Sequence, residues 1–249
     1  MSEHVFKRKL YDRMLQWKNE EQGKTAILIE GARRVGKSTL ARQFAQNEYK
    51  SHLIIDFSKA KAEIKSLFDD LSNMDMFFMK LKLISQVTLY ERESVIVFDE
   101  VQKLPKAREA IKHLVADGRY DYIETGSLIS IRQNVEDIII PSEEEAICLY
   151  PLDYEEFRWA LGDNETIDIL REAFKRRISL TDGVNRKLMF DFRLYMLIGG
   201  MPQAVNEYLE THDLARVDKI KRGIIRLYAS DFHKIDKTDK AKSMFLSIP

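Results

Sequence analysis

One run of residues has the types and spacing to do chemistry on phosphate. Gly31-Ala32-Arg33-Arg34-Val35-Gly36-Lys37-Ser38-Thr39 matches the pattern G-x-x-x-x-G-K-[ST] at every fixed position. Gly31 and Gly36 let the backbone fold around a phosphate where a Cβ would collide. The loop N–H groups then point inward, and the N-terminus of the following helix adds partial positive charge. Lys37 can reach β- and γ-phosphates, and the Ser38 hydroxyl can ligate Mg²⁺. The run therefore predicts a site for ATP with Mg²⁺, bounded by residues 31–39.

A second group lies downstream. Asp99 and Glu100 close the apolar run 94–98. In parallel α/β sheets, ligands gather at the C-terminal strand ends. An aspartate there can hold Mg²⁺, usually through water, because this cation dehydrates reluctantly. A neighbouring glutamate can polarise a water against the γ-phosphate. Asp99 is thus read as the metal residue and Glu100 as the general base or water-positioning group. Thr125 and Ser127, at the end of another apolar run, carry hydroxyls that can contact the γ-phosphate or the attacking water. Turn chemistry also accounts for the Gly-Ser pair there.

The elements that must position these groups follow from periodicity. Strands are expected at 25–30, 51–56, 94–99, 120–126 and 146–150, with helical segments between them. The helical segments include 6–20, the run after Lys37, two pieces within 60–87 broken near Ser72-Asn73, and 106–117 stopped by Gly118. Alternating strands and helices predict a parallel five-stranded sheet flanked by helices. From residue 153 the pattern turns helical, with helices expected at 153–161, 168–178, 185–198, 203–211 and 214–232. Gly162, Gly183 and Gly199-Gly200 punctuate them. The expected organisation is an N-terminal helix over 1–24, a core over 25–152 and an all-helical lid over 153–249. The apolar end at Phe245–Pro249 suggests a chain cut before a further region.

Composition narrows the class. Of 249 residues, 45% are apolar and 32% charged, and Lys+Arg and Asp+Glu balance at 40 each, so no global basic field calls for nucleic acid. Cys148 stands alone in an apolar run, which excludes a disulfide framework and predicts a small buried residue. The N-terminus has no apolar signal core, and no apolar run approaches the roughly 18 residues of a membrane span. A cytoplasmic protein with no membrane role is expected. The five histidines show no paired ligand spacing, and the basic runs over 219–226 and 234–242 read as solvated helix faces.

Taken together, residues 31–39, Val95–Gln102, Thr125–Ser127, Tyr150–Phe157 and Gly199–Val205 resemble the AAA-type P-loop ATPases. More narrowly, they resemble a prokaryotic group of predicted ATPases carrying a C-terminal domain of unknown function. The resemblance implies ATP and Mg²⁺ binding, a helical lid, and winged-helix-like and C-terminal regions beyond it. It also implies an arginine that neutralises transition-state charge, often in a Gly-Arg pair before the fifth strand. Here that stretch, 140–146, is acidic. Arg33, Arg34 and Arg193 are unranked substitutes, and Gly199–Pro202 is either a turn against the base or a helix break. A homo-oligomer or a C-terminal partner domain stays open, and nucleic acid has no support in the residues. The expected function is a hydrolysing conformational switch. A nucleotide-binding scaffold with little hydrolysis and a small-molecule kinase are the alternatives.

Overall fold

A computed structural model of the chain describes residues 4–127 and 142–248. Two compact units emerge: one spans Lys9–Leu149, and the other joins the residues up to Arg8 with those from Tyr150 onward.

The first unit is a five-stranded, all-parallel sheet with helices on both faces. Its strands are β1 (Ala26–Gly31), β2 (Ser51–Asp56), β3 (Ser94–Asp99), β4 (Asp121–Ser127) and β5 (Glu144–Cys148), in the order β2-β3-β4-β1-β5. The helices are α1 (Lys9–Glu21), α2 (Lys37–Glu48), α3 (Ala62–Ser66), α4 (Met74–Ser85) and α5 (Pro105–Asp117). Every residue of β3 is buried, as expected of a central strand in a sheet covered on both faces.

Strand periodicity sorts the two faces. Leu28, Ile96, Phe98 and Tyr122 join Phe57, Phe68, Phe77, Phe78, Ile111 and Leu114 in one aromatic-rich core. Fully burying one such apolar side chain contributes about 1.5–3 kcal/mol. The alternate residues Val97, Asp99, Ile123 and Thr125 belong to the opposite face. Local signals set the helix ends. Asn73 caps α4 by accepting from the Met76 N–H at 3.0 Å, while Pro105 opens α5 and left-handed Gly118 closes it.

The second unit contains α6 (Tyr154–Ala160), α7 (Thr166–Arg176), α8 (Asp182–Ile198), α9 (Pro202–Thr211), α10 (Leu214–Ile235) and α11 (Lys240–Leu246). Asp153 and Glu156 form a reciprocal capping box at the start of α6. Phe157, Ile198, Ala204, Val205 and Val217 form its core, with Phe6 packed against them. Arg8 is buried, and its guanidinium donates to Glu156 and to the Tyr150 carbonyl.

Several expectations needed adjustment. The first helix begins at Lys9 rather than residue 6, because residues 4–8 belong to the helical unit. Strand β5 sits two residues earlier than its apolar run suggests. Among the described residues it is an edge strand paired with β1 alone, and Cys148 is half-buried rather than buried. Gly183 lies inside the first turn of α8 instead of breaking it, and α11 forms beyond the last expected helix, 214–232. Among the described residues, no helix is long and apolar enough to cross a membrane.

Candidate functional site

The run 31–39 joins the end of β1 to the start of α2. Gly31 adopts φ +154°, and a Cβ there would lie 2.2 Å from the Leu149 carbonyl oxygen, so only glycine fits beneath that backbone. Gly36 is left-handed at φ 98° and precedes α2 with no side-chain cap. The orphan N–H groups of the first turn are thereby left for an outside acceptor. Arg34 is also left-handed, at φ 68°. Ala32, Arg33 and Arg34 are exposed, whereas Val35 and Lys37 are buried.

Lys37 turns its ammonium back onto the loop, donating to the carbonyls of Gly31 at 3.0 Å and Ala32 at 2.9 Å. Burial pushes its pKa down, while the Glu100 and Asp99 carboxylates oppose that shift.

Asp99, Glu100 and Thr125 meet Ser38 at the ends of β3 and β4. Asp99 is buried. A single oxygen of its carboxylate, Oδ1, accepts from Ser38 Oγ at 2.6 Å and from Thr125 Oγ1 at 2.5 Å. The Thr125 oxygen in turn accepts from the Glu100 N–H at 3.2 Å. That bond helps hold Glu100 in a left-handed conformation, φ 58°, which costs a non-glycine residue about 1–2 kcal/mol. The Glu100 carboxylate accepts from Gln102 Nε2 at 2.6 Å.

The strand order explains the convergence. β3, β4 and β1 are consecutive neighbours, so their C-terminal ends lie side by side, each about 4.8 Å from the next. Ser127 pairs in register with Gly31 and is half-buried at the same edge. Among the described residues no hydrogen bond ties its hydroxyl to Asp99, unlike that of Thr125. Thr39 is half-buried in the first turn of α2. Arg193 lies exposed on α8, in the helical unit. Of the acidic stretch 140–146, residues 140 and 141 lie outside the described residues.

The donor set suits a phosphate ester with a hard cation. Backbone N–H groups at a helix start and a buried ammonium match anionic oxygens. The Ser38 hydroxyl and Asp99 carboxylate are oxygen donors of the kind Mg²⁺ selects.

Two features escape sequence reasoning based on that loop. Gln102 stands in the D-E-x-Q spacing, yet its bond to Glu100 depends on the 3₁₀ turn Val101–Lys103. Glu124 is fully buried on the face away from Thr125, and neither carboxyl oxygen has a hydrogen-bond partner among the described residues. Burial, reinforced by the Glu144 carboxylate, raises its pKa well above the ordinary range. An acid inside the strand run 120–126 was the visible signal.

The AAA domain family profile matches residues 23–158, more than half of the chain, and a domain of unknown function (DUF8612) matches residues 189–248. The chain belongs to the AAA domain family of P-loop ATPases, proteins that bind nucleotide. The fold is similar to that of the Walker-type ATPase PABY2304 of Pyrococcus abyssi, with TM-score 0.53 at 18% identity over 95% of this chain and 78% of that one. More distant similarities reach the Aeropyrum pernix Orc1 protein in complex with DNA, at 13% identity over 92% and 68% of the chains, TM-score 0.47. Another is PCH-2 of C. elegans, at 12% identity over 88% and 65%, TM-score 0.40. At these identities the likeness is one of fold. No curated protein sequence matches the chain.

Proposed function

We propose that this protein binds ATP with Mg²⁺ at residues 31–39 and hydrolyses it, using the cycle as a conformational switch. The observation that carries the reading is the double hydroxyl contact on Asp99 Oδ1, which joins the start of α2 to two strand ends. A glycine turn with a merely structural role has no need of that junction.

In this reading the backbone from Gly31 to Thr39 cradles the phosphates, and Lys37 exchanges its carbonyl partners for phosphate oxygens. Ser38 and Asp99 would hold Mg²⁺, which neutralises charge on the phosphates. Glu100 orients the attacking water and accepts its proton. Thr125 positions both carboxylate residues through its single hydroxyl, with Ser127 beside it as a further hydroxyl at the same edge. Arg33, Arg34 and Arg193 remain the arginines to substitute first in a search for the charge-neutralising group.

The test is Glu100→Gln, which keeps size and removes the proton acceptor. ATP binding in calorimetry should be retained, and steady-state phosphate release should fall roughly 100-fold or more. Unchanged turnover would remove Glu100 from the role. Binding without measurable turnover in the wild type would favour the scaffold reading.

A further inference from the structure

Helix α7 is amphipathic and carries no buried residue. Phe174 is 86% exposed, and Ile169 and Ile178 are more than half exposed. Phe174 forms part of the wall of a groove of about 480 Å³, together with Ile167, Leu170, Ala173, Ile178 and Leu180. A largely exposed aromatic in the wall of an apolar groove offers a second copy both a knob and part of a hole.

We propose that α7 is a self-association surface, pairing antiparallel with α7 of a second copy of this chain about a twofold axis. A twofold contact needs a self-complementary patch, and the apolar part qualifies: each Phe174 enters the other copy's groove. The charges qualify too. Glu165 and Asp168 lie at the start of α7, and Lys175, Arg176 and Arg177 close it. Antiparallel pairing sets each acidic end against the other copy's basic end, and it opposes the two helix dipoles favourably. A membrane surface would favour one sign of charge on the polar flanks, and this helix carries both.

The existing ion pairs do not stand in the way. Asp168 pairs with Arg171, and Glu172 with Arg176, all with exposed side chains, and such pairs are worth about 0–1 kcal/mol. Two eleven-residue helices bury less than a standard interface of about 1,600 Å², so the expected dimer is weak and concentration-dependent.

Sedimentation equilibrium on the full chain across a concentration series tests the pairing, independently of any nucleotide chemistry. Wild type should shift from monomer to dimer. Phe174→Glu should associate at least tenfold more weakly, with an unchanged far-ultraviolet circular dichroism spectrum because the side chain is exposed. Two charge variants are the decisive pair: Glu165→Lys/Asp168→Lys makes both ends of the helix basic, and Lys175→Glu/Arg176→Glu/Arg177→Glu makes both ends acidic. Each should be monomeric alone, and an equimolar mixture should dimerise. A monomeric wild type at every concentration would overturn the proposal, as would a Phe174→Glu protein that dimerises like wild type. Folded charge variants that fail to associate when mixed would overturn it equally.

Discussion

Lys37 holds its own loop closed. Two carbonyls accept its protons, and burial depresses its pKa. A bound triphosphate replaces neutral carbonyls with anionic oxygens, which favour the protonated amine. Lys37→Ala should weaken ATP binding roughly 10- to 100-fold in calorimetry, the scale of one or two charge-assisted hydrogen bonds. In the wild type, affinity should be full at neutral pH and decline as alkaline pH passes the lowered pKa and the amine becomes neutral. A flat profile in which the Lys37→Ala variant equals wild type would remove the ammonium from the binding site. At this scale the sequence was nearly transparent, because fixed spacing in the loop translates directly into backbone geometry. Gln102 was opaque for the opposite reason: its partner is set by a short turn and not by periodicity.

Between elements, Glu124 of β4, Glu144 of β5 and Arg108 of α5 form a buried cluster. Arg108 grips Glu144 with two bonds, at 2.9 and 2.7 Å, and Glu30 of β1 also contributes its field to Arg108. Burial and the neighbouring Glu144 carboxylate raise the pKa of Glu124. The folded chain therefore binds that proton more tightly than the unfolded chain does. Its contribution to stability is present below the ordinary carboxylate pKa and is lost as pH rises toward the folded value. Glu124→Gln keeps the size of the side chain and has no proton to lose. Denaturant midpoints measured at pH 5 and pH 8 should therefore fall less steeply with pH in the variant than in wild type. Equal slopes would show that Glu124 is ionised in the fold. The strands and their parallel order were legible from apolar runs and helix alternation. The shift of β5 was not, since an edge strand takes its register from β1 rather than from its own most apolar residues.

For the whole molecule, the question is whether a nucleotide is felt beyond the unit that binds it. Hydrogen exchange with and without Mg-ATP should slow the amides of residues 31–40 in either case. The switch reading expects altered exchange in α6–α10 as well, because a ligand shifts an equilibrium only between states it contacts differently. Exchange changes confined to Lys9–Leu149 would leave a binding scaffold.

The helical character after residue 153 could be read from periodicity, but the membership of residues 4–8 in that unit could not. It rests on Phe6 and Arg8 meeting partners far along the chain, Arg8 and Glu156 being 148 positions apart. That tether has a consequence for biosynthesis. The sheet unit lies wholly between the two halves of the helical unit, so a ribosome can complete the former while Arg8 still waits for Glu156 to emerge. A fragment starting at Tyr150 would lack the clasp, and a product released early would expose Phe6 and an unneutralised guanidinium. The seating of Phe6 and Arg8 therefore waits until the residues from Tyr150 onward have been synthesised.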